Sequence, residues 1–239
     1  MFSIPILKQD FRINIRRLGI IFGAQFISLL IAMGICEMGL IEVSDIFWDT
    51  IPVVIIPWIL QMVLAYEVVF KRKTDGTFTF LLASRITPAK LIDSKMFFII
   101  FSTLILIGAS TLFGCVFGIY RLTGVWSQAS YLFLNLGGFC LQIFIGGFCF
   151  LMAVLAKKSS LYLKLGVGLP ILQYALFLGY FLKSEFFFLK FVTVFTLFDH
   201  TLFSKQSALM WVTMIVYLLC GSFFYALGRH LYLKREDTK

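Results

Sequence analysis

Residues 129–156, ASYLFLNLGGFCLQIFIGGFCFLMAVLA, hold no charged side chain over a length well beyond the roughly 20 apolar residues that cross a hydrocarbon core. Such a stretch has no place in a water-soluble domain unless a large polar shell surrounds it, and the rest of the chain supplies none. Of 239 residues, 60% are hydrophobic, 18% aromatic and only 14% charged, with mean hydropathy +0.96. Soluble domains carry about 25% charged residues. With 29 Phe against 21 Lys+Arg and 12 Asp+Glu, too little polar surface exists to cover one core. The solvent for this chain is lipid.

Working outward, five further apolar runs meet the length test, giving an all-α, polytopic protein with six spans at about 18–41, 46–70, 95–120, 129–156, 161–182 and 206–231. The second carries Pro52 and Pro57; the fifth carries Gly166, Gly168 and Pro170. Between the fifth and sixth, KSEFFFLKFVTVFTLFDHTLFSK (183–205) is apolar, but Lys190 and Asp199 cut it into pieces too short to span. It reads as interfacial or re-entrant, outside the cell. No repeat and no polar linker divides residues 1–239, which form one transmembrane domain.

The net charge of +9 would suggest nucleic acid in a soluble protein; in a membrane protein the distribution matters instead. All of the 21 Lys and Arg except Arg121, Lys183, Lys190 and Lys205 fall on the side of the two termini. The loop after the first span holds Glu37, Glu42, Asp45 and Asp49 and no cation. Both termini are therefore expected in the cytoplasm, in the cell membrane, with no nucleic-acid role. The N-terminus lacks an A-x-A cleavage site, so a cleaved signal peptide is not expected.

Ile4, Leu7, Phe11, Ile15 and Leu18 recur every three or four residues, with Lys8, Asp10, Arg12, Arg16 and Arg17 mostly opposite. That spacing predicts an amphipathic helix lying in the inner interface, with Arg16 and Arg17 toward anionic lipid. The plainer reading is a basic flank that only fixes topology. At the end of the second span, Glu67 stands four residues before Lys71, the spacing of an ion pair at the membrane surface. Gln61, Asn135, Gln142 and Gln173 lie within spans, where such residues either bridge helices or line a path.

The cytoplasmic segment 71–95 is the most specific part of the sequence. Thr74 or Asp75 is placed to cap a short helix carrying Phe78, Leu81 and Leu82 on an apolar face, and Thr87-Pro88 opens the next helix. A Phe-Leu-Leu face on a helix this short needs cover: a protein partner, the chain's own spans, or lipid. The string YEVVFKRKTDGTFTFLLASRITPAKLIDSK (66–95) resembles the signature region of the permease subunits of type-2 ABC exporters. In that family an acidic residue ends the second span, followed by Gly-Thr, Leu-Leu, a Ser-Pro-like turn and a Lys opening the third. The matching positions are Glu67, Gly76, Thr77, Leu81, Leu82, Ser84, Thr87 and Lys95. Arg85 departs from the pattern, standing where the family often has Pro, and Pro88 comes later than usual. TLFDHTLF (196–203) resembles the family's extracellular element before span six.

The resemblance implies a coupling helix whose Asp75, Gly76, Thr77, Phe78, Leu81, Leu82, Ser84 and Arg85 dock on a cytoplasmic ATPase. It further implies a pair of such ATPases, which bind the ATP and magnesium, and a second permease chain, identical or related. The flux is outward, and the cargo a drug, peptide, bacteriocin, lipid or similar amphipathic molecule. A haem-export permease of cytochrome c maturation has a similar layout and is the nearest alternative. An ion-driven carrier or channel would call for paired ionisable groups at mid-membrane, which the sequence lacks. Enzymatic activity has no support: no HExxH, GxSxG, Walker or GxGxxG string occurs. His200 and His230 have no metal-ligand spacing, and the five Cys sit singly inside the apolar runs as packing residues, so no cofactor or metal is expected in the chain.

Overall fold

A computed structural model describes residues 3–38, 51–83, 86–118, 128–182, 195, 198 and 208–237, and among these it is helical with no strand. Six helices are long and apolar enough to cross a membrane. We number the helices in chain order: α1 (Ile4–Glu37), α2 (Ile51–Thr74), the short α3 (Thr77–Ala83), α4 (Pro88–Phe113, continued by a π-helical turn Gly114–Gly118), α5 (Gln128–Leu155), α6 in the consecutive segments Ser159–Tyr162, Leu163–Gly168 and Leu169–Leu182, and α7 (Ala208–Asp237). The loop after the first span and nearly all of 183–205, with its expected re-entrant helices, lie outside the described residues.

The N-terminal arm does not form a separate interfacial helix. It runs without a break into the first span, as one helix of 34 residues, or about 50 Å. Its inward face is Ile6, Leu7, Asp10, Asn14, Leu18, Ile21, Gln25 and Ser28, a continuous stripe at steps of three and four. Ile4 and Ile15, expected on the same apolar face as Leu7 and Leu18, are instead 71% and 68% exposed. No proline interrupts the helix after Pro5, and the Asp10 carboxylate finds its neutralising partners inside the bundle, so the arm packs as part of the first long helix.

Close approach of α5 and α7 depends on glycine. A Cβ on Gly147 would lie 2.6 Å from the Gly221 carbonyl oxygen, and one on Gly221 would lie 2.7 Å from that of Ile143. Apolar side chains gain nothing by leaving lipid for one another, so backbone proximity of this kind is what lets two membrane helices adhere.

Helix α2 is irregular at both ends, with π-helical segments Ile51–Ile55 and Ala65–Lys71 around a central Ile56–Leu64. Pro57 has no N–H, which strips the carbonyls one turn earlier of their usual donor. Two glutamines replace it. Gln25 Nε2 donates to the Pro52 carbonyl at 2.8 Å, and Gln142 Nε2 donates to those of Val53 and Val54 at 3.4 and 3.0 Å. In lipid no water could do this work. The bridging reading thus holds for Gln142 and for Gln61, whose Nε2 donates to Thr103 Oγ1 at 2.5 Å. Among the described residues, Asn135 bonds back to its own helix, at the Tyr131 carbonyl. Gln25 is a bridge that the sequence reading did not single out.

Candidate functional site

The start of α1, the end of α2, α3, the start of α4 and the ends of α5 and α7 meet at one end of the bundle, and the described ion pairs gather there. The expected Glu67–Lys71 pair is present at 3.3 Å. Glu67 also pairs with Arg17 of α1 at 2.9 Å, so one carboxylate ties two helices. Arg16, one residue away, is exposed. On the opposite flank, Arg229 Nε of α7 donates to Asp93 Oδ1 of α4 at 2.6 Å.

Deeper lies a triad that the sequence reading missed. Asp10 of α1 is wholly buried and accepts two bonds from Lys95 Nζ, at 2.8 and 2.7 Å; Arg72 of α2, 7% exposed, pairs with it as well. Lys95 was expected as an interface residue opening the third span, yet it too is wholly buried. One carboxylate holds two cations, and three helices meet on it. The available signal was Asp10 itself, a lone acid on the face that carries Leu7 and Leu18 inward in an otherwise basic arm.

Lys73 performs a third kind of joining. Its ammonium donates to the carbonyls of Ala153, Val154 and Ala156 at 2.8, 2.7 and 2.7 Å, closing the end of α5, whose last carbonyls have no helical donor.

Helix α3 hangs from this framework. Gly76, with φ of 74°, reverses the chain after α2 where a side chain would be strained. Thr74 does not cap α3; its hydroxyl donates back to the Phe70 and Lys71 carbonyls. Thr87 does cap α4, accepting from the Lys90 N–H at 3.4 Å, with Pro88 in the first turn.

The expected outward ridge of Phe78, Leu81 and Leu82 is turned the other way. Phe78 is 4% exposed, with its ring edge-on to Tyr232 of α7 at 5.9 Å and Lys95 Nζ at 5.9 Å from its centroid. Leu81 and Leu82 are half-buried against the core. The chain's own α7 and the adjoining core cover that face. Asp75, Gly76, Thr79, Phe80 and Ala83 face out, and Phe80 is 75% exposed. Thr77 is half-buried, while Ser84 and Arg85 lie outside the described residues.

Near the middle of the bundle, an apolar cavity of about 170 Å³ opens between α5, α6 and α7, walled among the described residues by Phe144, Phe148, Leu169, Phe224 and the polar Gln173. It borders the π-helical segment and Pro170 of α6. No family model, curated protein or solved structure matches this chain.

Proposed function

We propose that the chain is the non-catalytic, membrane-spanning permease subunit of an ATP-driven exporter, in which α3 docks on a cytoplasmic ATPase. The observation that carries this reading is the mounting of α3. A short helix outside the six long ones presents Phe80 on its free face, while its other face is fixed by Phe78 on Tyr232. Around its base, the Asp10 triad, the Glu67 pairs, the Asp93–Arg229 pair and the Lys73 cap join α1, α2, α4, α5 and α7. A push on α3 is therefore delivered to most of the spans at once, as a lever moving packed elements between two states requires. The ATPase pair supplies the ATP chemistry, a second permease chain completes the pathway, and the cargo is amphipathic or hydrophobic, moved outward across the cell membrane.

The described buried charges lie at one end of the bundle and not at mid-membrane, which favours this reading over an ion-driven carrier. In the permease reading the contact centres on Phe80, flanked by Asp75, Gly76 and Thr79. Replacing Phe80 by Asp removes an aromatic anchor and sets a charge in a desolvated contact, for a loss of at least about 2 kcal/mol of association. The exposed position leaves the fold intact. Co-purification of tagged F80D chain with the cytoplasmic ATPase that the wild-type chain captures reads the outcome: a lost complex at normal membrane level supports docking at α3, while undiminished recovery, or capture of no ATPase by the wild type, overturns it.

A further inference from the structure

The cavity between α5, α6 and α7 is walled largely by aromatic rings, and those rings are engaged with one another rather than placed to fill it. Phe224 of α7 meets both Phe144 and Phe148 of α5, with ring centroids 5.5 and 5.8 Å away. Phe195 packs edge-on to Tyr174 at 5.3 Å and against Trp58 at 5.9 Å. Nor can α5 and α7 close on the space, since they already stand at backbone contact through Gly147 and Gly221. On the third side α6 is irregular, π-helical over Leu163–Gly168, and Pro170 then offers no backbone N–H. The volume of about 170 Å³ is close to the roughly 150 Å³ with which a dry cavity lined by Leu, Ile and Phe holds one benzene ring. Gln173 is the polar member of the described wall. It is half-buried within the fifth apolar span, and its amide makes no hydrogen bond among the described residues. Hydrocarbon supplies no water to complete it, so a ligand that does so recovers free energy that the fold has given up.

We propose that this cavity binds a neutral, single-ring aromatic molecule of the phenol class, with its ring against Phe144, Phe148 and Phe224 and its hydroxyl on the Gln173 amide. The volume sets the size at one ring. Aromatic walls favour a ring that meets them edge-on or offset. No charged side chain lines the cavity among the described residues, so an ion would be buried there without a counter-charge. A lipid acyl chain would fill the apolar space but leave the amide unpaired, which makes Gln173 the group that discriminates. Leu169, 39% exposed, lines the cavity where it meets the outer face of the bundle and marks the way in from lipid. The inference requires only that the bundle spans a membrane; a phenol bound by a chain that captures no ATPase would leave it standing while the exporter reading fell.

The test uses the full chain in lipid nanodiscs, titrated with 4-fluorophenol or with 4-fluorotoluene, in which a methyl group replaces the hydroxyl, and read by fluorine NMR line broadening against empty nanodiscs. Partition into lipid rises in proportion to concentration, whereas the broadening due to the chain should saturate and should be reversed by excess unlabelled phenol. At equal mole fraction in the membrane, 4-fluorophenol should half-saturate at a roughly 10-fold lower level than 4-fluorotoluene, the difference being one hydrogen bond to the amide. Gln173→Leu removes an unpaired amide from an apolar wall, so the variant should melt no lower than the wild type. It should bring the two probes within about twofold of each other while both still saturate. Broadening that does not saturate overturns the site. A phenol preference that survives Gln173→Leu overturns the placement at Gln173, and decane displacing 4-fluorophenol as well as phenol does makes an acyl chain the occupant and overturns the aromatic class.

Discussion

The Asp10 triad makes a prediction whose sign, not only its size, follows from counting charges. Asp10→Asn leaves Lys95 and Arg72 buried together with no described anion between them. Stripping the partner from a buried ion pair costs about 3–5 kcal/mol. Lys95→Met is different. It forfeits the two bonds at 2.8 and 2.7 Å, but it also removes a wholly buried ammonium and leaves Asp10 and Arg72 as a matched pair. Lost bonds and recovered desolvation nearly offset, for a net cost of about 0–2 kcal/mol. The two variants should therefore differ by about 3 kcal/mol, or about 10 °C in melting temperature for a chain of this size. In the Asp10→Asn background, Lys95→Met should raise stability, because it relieves repulsion between two buried cations. Thermal unfolding of the wild type, both single variants and the double variant in one detergent closes the cycle. If Lys95→Met costs as much as Asp10→Asn, or if it further weakens the Asp10→Asn chain, then the triad is not the electrostatic unit described here.

Three other expectations rest on separate parts of the molecule. Gly221→Ala should destabilise by about 1–3 kcal/mol, as its methyl would meet the Ile143 carbonyl at 2.7 Å, whereas Ala at Gly23, with nothing within 4 Å, should be neutral or better in the same unfolding assay. Gln142→Leu should cost about 1 kcal/mol by uncovering the Val53 and Val54 carbonyls, and adding Pro57→Ala, which restores the missing N–H, should shrink that penalty. In a Cys-free background, an impermeant thiol reagent applied to intact cells should modify Ser44→Cys and not Thr74→Cys; the reverse would invert the topology.

The spans were legible because lipid imposes one coarse rule: length and hydropathy must suffice. All six of the expected spans correspond to long apolar helices, although α1 begins at Ile4, well ahead of residue 18. The Glu67–Lys71 pair was legible as well, since both residues lie on one helix at a fixed spacing. Asp10, Arg72 and Lys95 were not. Their meeting depends on three helices being brought side by side, and no local pattern encodes which faces meet. The same holds for Lys73, whose carbonyl partners lie about 80 positions away along the chain.

Helix α3 shows why the remaining gap is physical. Phe78, Leu81 and Leu82 do form an apolar face, as the spacing requires, but a pattern of side chains says that a face will be covered and not by what. Here the cover is Tyr232, near the end of α7, and the adjoining core. Once that face is taken, the side left for a partner is the one that the periodicity marks as polar, and Phe80 stands on it as an exception to the pattern. An aromatic residue left 75% exposed on a rigidly held helix gains nothing for the fold of this chain by being there. In the docking proposal it is the contact that a partner would meet, which makes Phe80, rather than the Leu-Leu pair of the signature, the residue on which that proposal turns.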